Sequence, residues 1–171
     1  MIIDVSSILK VLGGKIAIDC DLPLSEAEFL GGLYEFTVPV RVVGSVSNNG
    51  QSLILRANCS GTMRTGCARC LCDIDVDFDF DIEEQLMQNE GDEISTDTDV
   101  ILFDGYTFEL DDIIYENFLM NINGSYLCND DCKGICPTCG KNLNNESCSC
   151  DNTDIDPRWS SLLEIIKNNE N

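Results

Sequence analysis

The cysteines between positions 128 and 150 are the residues with the clearest chemical potential. Six of the chain's eleven cysteines lie in this stretch, with the spacing C-x3-C-x3-C-x2-C-x8-C-x-C. Within it, Cys136-Pro137-Thr138-Cys139-Gly140 has the form of a zinc knuckle, because cysteines two residues apart can direct both sulfurs at one ion. The glycine that follows permits the tight turn that brings backbone N–H groups to the thiolates. Since a C-x-C pair returns later, the spacing predicts one structural zinc ion held by Cys136, Cys139, Cys148 and Cys150.

A second pair, Cys67 and Cys70, comes earlier in the chain and allows three interpretations. It is half of a metal site, a redox pair, or two buried thiols. A thioredoxin-like redox motif is followed by a helix, but the residues after Cys72 alternate as a strand does. Because the first zinc site leaves Cys128 and Cys132 over, our hypothesis is a second four-sulfur site formed by Cys67, Cys70, Cys128 and Cys132. Partly buried thiols are the alternative.

A third spacing, Cys132-x3-Cys136-x2-Cys139, matches the one that radical enzymes use to hold a four-iron cluster. Those enzymes need a βα barrel much longer than this chain of 171 residues. They also usually place an aromatic residue where Thr138 stands here. The chain has no histidine, which removes the usual general base of catalysis. We therefore expect no enzymatic activity, and zinc rather than an iron–sulfur cluster.

The charge is strongly acidic and unevenly distributed. The net charge is -21, and residues 73–127 contain no lysine or arginine at all. A protein that grips nucleic acid by its phosphates needs a basic face, so direct RNA binding is disfavoured. No signal peptide or apolar run of about 18 residues is present. We therefore expect a cytoplasmic protein, in which clustered thiols hold metal more often than they form disulfides.

The first half of the chain has the pattern of an antiparallel sheet. Asn48-Asn49-Gly50 is a turn signal between two apolar runs, so the strand over 51–59 should return against the strand over 35–47. Shorter strands are predicted over 1–5, 15–19 and 62–65, and residues 21–32 are predicted to be connecting structure. This meander predicts a mainly antiparallel sheet that could curl toward a barrel.

One strand is unusually clear. From Asp73 to Ile82 acidic and apolar residues alternate without exception, so five carboxylates share one face. This acidic row consists of Asp73, Asp75, Asp77, Asp79 and Asp81. It is either a solvated sheet face that resists edge aggregation or a binding surface for a partner rich in lysine and arginine.

The remaining segments complete an α+β fold with two parts. We predict a mobile acidic loop near 86–99, a short strand over 100–106 and a helix over 108–122. The β-rich domain would span 1–122, and residues 123–171 would form a zinc-knuckle segment with a short C-terminal helix docked on the first domain. That last helix opens at Asp156 and carries an apolar stripe of Trp159, Leu162, Leu163 and Ile166.

Several motifs together resemble one known family. They are CARCL, the helix after the acidic loop, C-x3-CKGICPTCGKNLN, the C-x-C pair and DPRWSSLLEI. Over about Arg41 to Ile166 the chain is similar to the YceD family, the large ribosomal RNA subunit accumulation proteins. The resemblance implies a role in the synthesis, processing or stability of large-subunit ribosomal RNA, with no established catalysis. The acidic row is not part of the family pattern.

The resemblance and the charge together lead to one functional expectation. The chain would be a non-enzymatic factor of ribosome biogenesis that binds a basic ribosomal protein or an assembly intermediate, without a membrane or a small-molecule substrate. Two alternatives remain at this point, an RNA-binding zinc module and a thiol- or metal-transfer protein.

Overall fold

The computed structural model describes residues 1–89 and 100–150, and these divide into two compact units. The first unit comprises residues 1–67 and 72–126, and the second comprises residues 68–71 and those from Leu127 onward. The described elements are β1 (Ile2–Asp4), β2 (Lys15–Leu22), β3 (Glu26–Phe29), β4 (Gly32–Phe36), β5 (Val40–Asn48), β6 (Leu53–Gly66), β7 (Asp73–Gln88), β8 (Val100–Phe103), β9 (Thr107–Glu109) and α1 (Leu110–Asn121).

The first unit is built around β6. This strand pairs with β7 along one edge, and with β5 and then β4 along the other. The order β2-β5-β6-β4-β3 follows, while β8 adds to β7 in the sheet's one parallel pairing among the described strands. Strands β1 and β9 form a separate two-stranded sheet. The predicted antiparallel architecture is confirmed, but the sheets are open, so the curl toward a barrel is not confirmed.

Strand β6 runs without interruption through Ser60 and Gly61, where the sequence predicted a break. Gly61 lies under the ring of Phe78, and a Cβ atom there would come within 2.8 Å of the phenylalanine Cζ. Such an approach is too close for any larger residue. The glycine therefore makes room for an aromatic ring on the neighbouring strand and does not mark a turn.

The hairpin formed by β3 and β4 was missed, and the prediction of connecting structure over 21–32 was wrong there. Phe29 pairs with Gly32, which leaves Leu30 and Gly31 as a two-residue turn. Both have positive φ, 50° and 79°, as a type I′ turn requires. The usual signal for this turn is Asn-Gly, and leucine in a left-handed conformation costs about 1 kcal/mol. The sequence therefore carried no recognisable hairpin signal.

Helix α1 packs its apolar side against the buried face of the sheet. Its buried residues are Leu110, Ile113, Ile114 and Phe118, at the three- and four-residue spacing of one helical face. Acidic residues in the first turn, Asp111 and Asp112, favour the positive end of the helix dipole. The helix begins two residues later than predicted because Phe108 belongs to β9.

Phe118 anchors this contact through a cluster of aromatic rings. Its ring centroid lies 4.7 Å from that of Phe36, 5.2 Å from that of Phe78 and 6.5 Å from that of Tyr34. Two of these contacts are edge-to-face, a geometry that adds about 0.5–1.5 kcal/mol per pair to the gain from burial. The helix is thereby fixed against β4 and β7.

Strand β7 is longer than predicted and replaces the start of the predicted loop. It extends to Gln88, and Leu86 is fully buried, so the loop prediction near 86–99 began too early. Residues 90–99 lie outside the described residues, as does the predicted C-terminal helix from Asp156 with its stripe. In the described part of the chain, no helix is long and apolar enough to cross a membrane.

Up to Cys150, where its described residues end, the second unit has little regular structure and almost no apolar interior. Apart from Gly134, its buried residues within the described range are three cysteines, Cys70, Cys132 and Cys136. Backbone hydrogen bonds order the segment locally, including those from the N–H of Cys136 to Lys141 (2.8 Å) and from Leu143 to Gly134 (2.9 Å). Cysteine side chains thus form the interior of this segment, as apolar side chains do in the first unit.

Candidate functional site

The first cysteine group lies entirely in the second unit. The Sγ atoms of Cys136, Cys139, Cys148 and Cys150 all lie within 4.8 Å of one another. The Sγ of Cys148 is 3.4 Å from that of Cys136 and 3.7 Å from that of Cys139. Sulfurs around a tetrahedral zinc ion with bonds of about 2.3 Å lie about 3.8 Å apart. The structure therefore brings the four predicted ligands together at separations that suit one tetrahedral ion.

A tight turn positions the first two ligands of this group. Gly140 has a φ of 73°, and its N–H donates to the carbonyl of Cys136 at 2.9 Å. The left-handed conformation favours glycine, which has no Cβ to clash. The turn directs the N–H groups of Cys139 and Thr138 at the sulfur of Cys136, as expected of a zinc knuckle.

The electrostatics of the group favour cation binding. Hydrogen bonds from the Cys139 and Thr138 N–H groups lower the pKa of Cys136 to about 6, because they stabilise the thiolate. At the other end of the group, the hydrogen bond with the sulfur of Cys148 raises the pKa of Cys150 to about 12. The thiols of the group thus differ in acidity, and metal binding would release the protons that remain on them.

Three of the four cysteines predicted for the second metal site also meet in the second unit. The sulfurs of Cys70 and Cys128 are 3.6 Å apart, and Cys132 has hydrogen-bonding contacts with both. The side chain of Asn144 donates to the sulfur of Cys132 at 3.4 Å. This bond is the largest of several that lower the pKa of Cys132, and such stabilised thiolates are suited to metal ligation.

A fifth cysteine, which the sequence interpretation missed, belongs near this group. Cys72 lies two residues after Cys70, and its carbonyl accepts a hydrogen bond from the N–H of Cys67 at 2.8 Å. The signal was present, since Cys70-Leu71-Cys72 repeats the C-x-C spacing of Cys148-Ser149-Cys150. Both Cys72 and the predicted Cys132 are therefore candidates for the fourth ligand of a second ion.

The turn after Cys67 has the geometry of the knuckle at Cys136. Leu71, directly after the second cysteine, has a φ of 59°, as Gly140 has 73° in the other turn. Leucine hides the resemblance in the sequence because glycine is expected at such a position. The chain thus contains two turns of the same kind, one closed by glycine and one by leucine.

The cysteines with the radical-enzyme spacing separate into different groups. Cys136 and Cys139 lie with the two later cysteines, whereas Cys132 contacts Cys70 and Cys128. A four-iron cluster of the radical-enzyme kind needs its three cysteines at one place. The arrangement therefore favours two four-sulfur groups over that use of the motif.

The acidic row lies on the exposed outer face of β7, and polar groups on β6 meet most of it. Arg64 donates to both carboxylate oxygens of Asp75, at 2.8 and 3.3 Å. The hydroxyl of Thr62 donates to Asp77 at 2.7 Å. The register brings Asp73 opposite Gly66, which has no side chain to offer.

The next two members of the row share one neutral donor. The side-chain amide of Asn58 donates to Asp79 at 2.8 Å and to Asp81 at 3.0 Å. Further along, Arg56 donates to Glu83 at 2.5 Å. Arginine thus faces Asp75 within the row and Glu83 beyond it, while the stretch from Asp77 to Asp81 faces neutral donors.

Two other cysteines lie in the first unit, away from both groups. Cys59 is fully buried on β6, and burial raises its pKa to about 12. Cys20 is half-buried on β2 and also has a raised pKa, again chiefly through burial. Thiols that resist ionisation are unreactive, so both act as small core residues.

Comparison with known proteins gives weak similarity to individual proteins. An uncharacterized protein of Mycobacterium tuberculosis is 29% identical over 102 residues, which is 58% of this chain and 49% of that protein. The uncharacterized protein YlbN of Bacillus subtilis is 26% identical over 133 residues, 77% of each. The chain thus spans about half the length of its mycobacterial relatives. No solved structure matches the chain.

The family comparison is more informative. Residues 55–165 match the family described as "Large ribosomal RNA subunit accumulation protein YceD". The match runs from near the start of β6 through both cysteine groups and covers well over half of the chain. It agrees with the resemblance carried by the motifs around the cysteines. The chain therefore belongs to the YceD family, whose name implies a role in the accumulation of large-subunit ribosomal RNA.

Proposed function

We propose that this protein is a non-enzymatic factor in the accumulation of large-subunit ribosomal RNA, and that it acts by binding a basic protein. The partner would be a basic ribosomal protein or an assembly intermediate that presents one. Family membership supports the link to ribosomal RNA. The observation that carries the binding mechanism is the stretch of the acidic row from Asp77 to Asp81, whose cross-strand donors are neutral.

Charge distinguishes this partner from RNA itself. Asp77, Asp79 and Asp81 are exposed and have a hydroxyl or an amide as their cross-strand partner. Lysine and arginine side chains would gain Coulomb energy on approach and would be drawn in by the long-range field. RNA phosphates would be repelled by the same field, so RNA binding would require a basic surface elsewhere.

We propose zinc as the ion of the cysteine groups, with a structural role. Cys136, Cys139, Cys148 and Cys150 would be its ligands, and an all-thiolate set with no open position is typical of structural zinc. Zinc would neutralise thiolate charge and fix the segment. Because a closed site offers no coordination position for a substrate, the partner would be bound by side chains of the protein and not by the zinc ion.

A second zinc ion would be held at the other group. Cys67, Cys70 and Cys128 would supply three ligands, and Cys132 or Cys72 the fourth. The thiol of Cys132 is buried and accepts hydrogen bonds from the side chain of Asn144 and the N–H of Gly134. Both observations support Cys132, which the sequence predicts as the fourth ligand. Replacement of each candidate by serine, followed by measurement of zinc content, tests which of the two binds.

The functional proposal is tested by neutralising the stretch from Asp77 to Asp81 in cells that depend on this protein. The variant D77N/D79N/D81N removes three charges but keeps the size of each side chain. We expect the ratio of large- to small-subunit ribosomal RNA to fall. We also expect less of a basic ribosomal protein to co-purify with the variant than with the wild type. The matched control is E26Q/E28Q, which removes exposed acids from β3 at the far edge of the same sheet. Wild-type RNA ratios in the aspartate variant would contradict the proposal.

A further inference from the structure

Two consecutive strands of the first unit do not pair with each other. Strands β8 and β9 are separated only by Asp104, Gly105 and Tyr106, and Gly105 has a φ of 68°. Nevertheless β8 joins β7, while β9 joins β1 in the other sheet. The rings of Phe103 and Phe108 meet on either side of the turn, with centroids 6.2 Å apart. The two strands therefore diverge where a hairpin would normally close.

A groove of about 410 Å³ is lined by both strands. Three consecutive residues of each strand contribute to it, Ile101–Phe103 of β8 and Thr107–Glu109 of β9. Because alternate residues of a strand point to opposite faces, lining by consecutive residues is typical of a strand's edge. Within the described residues β8 has a paired neighbour on one side only, which is β7.

The lining combines an apolar wall with an acidic rim. Phe108 and Ile113 are buried in the floor, while Ile2 and Leu102 are 66% and 42% exposed. The rim carries four exposed acids, and the lining residues include no lysine or arginine. These acids are Asp104, Glu109, Asp112 and Glu116.

We propose that this groove binds an extended, basic segment of a partner protein, which adds as a strand to the edge of β8 that faces away from β7. An edge strand offers unpaired N–H and C=O groups that a peptide backbone can satisfy. Apolar side chains at alternate positions of the peptide would then cover Ile2 and Leu102. The basic side chains between them would pair with the acidic residues of the rim. The inference deepens the proposed function and rests on it for the partner's identity, but its peptide chemistry is testable separately.

Charge and shape together select this occupant. A fully apolar segment would leave the four carboxylates desolvated without partners, which is costly. A nucleic acid strand would bring phosphates to an acidic rim. An extended segment of alternating basic and apolar residues satisfies the main chain, the apolar wall and the rim at once.

The backbone part of the proposal is tested with a synthetic probe. A fluorescent peptide of alternating lysine and valine, slightly longer than β8, is titrated with the full chain and its anisotropy is followed. The comparison probe has the same sequence but carries N-methyl groups on alternate peptide bonds, so it retains charge and loses N–H donors. We expect at least about tenfold weaker binding of the methylated probe. Equal affinity for both probes, or no binding of either, would overturn strand addition.

The location is tested with the double variant D112N/E116Q, whose sites are exposed on α1 and leave the core untouched. Loss of two rim charges should weaken the unmethylated probe about fivefold. The control E26Q/E28Q should bind as the wild type does. If D77N/D79N/D81N weakens the probe and D112N/E116Q does not, the groove assignment fails while the proposed function stands. Conversely, unchanged ribosomal RNA ratios in D77N/D79N/D81N would contradict the proposed function without affecting the groove.

Discussion

The two units of this protein solve the problem of stability in different ways. The first buries a continuous set of apolar side chains between a seven-stranded sheet and one helix. In the second, the described residues up to Cys150 bury hardly anything except cysteine. A segment of this kind cannot offset its loss of conformational entropy through apolar burial. From this contrast we expect the second unit, and not the first, to depend on bound metal for its folding.

The two units also differ in the role that we expect of them, metal ligation in one and partner binding in the other. The cysteine groups are built from turns and hydrogen-bonded sulfurs, and they fix a shape. The acidic row and the groove at β8 lie on the first unit, where a rigid sheet holds charges in register. Binding is therefore expected on the unit that has an apolar core.

Loss of the metal should unfold the second unit and spare the first. Structural zinc contributes on the order of 10 kcal/mol to the folding of small metal-held segments. We expect chelation, or the change Cys136→Ser, to abolish hydrogen-exchange protection at the amides of Cys136, Gly140 and Leu143. Protection in β5 and β6 should stay at the wild-type level.

The control for this prediction is Cys20→Ser, which removes a half-buried thiol from the first unit and should leave zinc content unchanged. Retained protection around Cys136 after complete chelation would show that the second unit does not depend on metal.

Removal of an aromatic ring from the core should destabilise the first unit alone. Phe118→Ala removes the ring that contacts three other aromatic rings. Creating a cavity of this size costs about 3–5 kcal/mol of unfolding free energy, measurable by denaturant titration. Met120, 85% exposed on the same helix, supplies the matched control, because Met120→Ala should change stability by less than about 0.5 kcal/mol. Zinc content should be unaffected by either change.

The two knuckle turns should respond to substitution with opposite signs. Gly140→Ala forces a side chain into a left-handed conformation and should weaken zinc binding by about 1 kcal/mol, or roughly fivefold. Leu71→Gly relieves the same strain and should strengthen binding by a comparable factor. Competition with a chromophoric chelator measures both. Effects of the same sign would refute the equivalence of the two turns.

The smallest effect concerns the exposed pair of Arg56 and Glu83. A hydrogen bond from Arg56 lowers the pKa of Glu83, so the pair stabilises the folded state at pH values above the ordinary glutamate pKa. That contribution is lost as the pH falls through the lowered pKa. In Arg56→Gln the pKa of Glu83 should return to its ordinary value, as observed by NMR titration. An unchanged titration would show that the ion pair does not form in solution.

The elements that could be predicted from the sequence are those governed by local periodicity. The alternation from Asp73 to Ile82 predicted a strand, and the spacing of Ile113, Ile114 and Phe118 predicted a helix. The knuckle at Cys136 was predictable for a similar reason, since C-x2-C-G is a local signal that depends little on the rest of the fold.

The features that were missed depend on contacts distant in sequence or on residues in unusual conformations. Gly61 was interpreted as a break because the ring of Phe78 above it was not visible in the sequence. Leu30 and Leu71 both adopt positive φ values that favour glycine, which concealed a hairpin and a second knuckle turn. The partners of the acidic row required the register of β6 against β7, which periodicity alone does not determine.

The central claim is that thiolate-bound metal holds the second unit, and native mass spectrometry of the full, reduced chain tests it most directly. We expect two zinc ions per chain, and a single ion in the variant C136S/C139S. A chain that carries no metal after reconstitution with zinc, or whose mass shows disulfides in place of metal, would contradict the account.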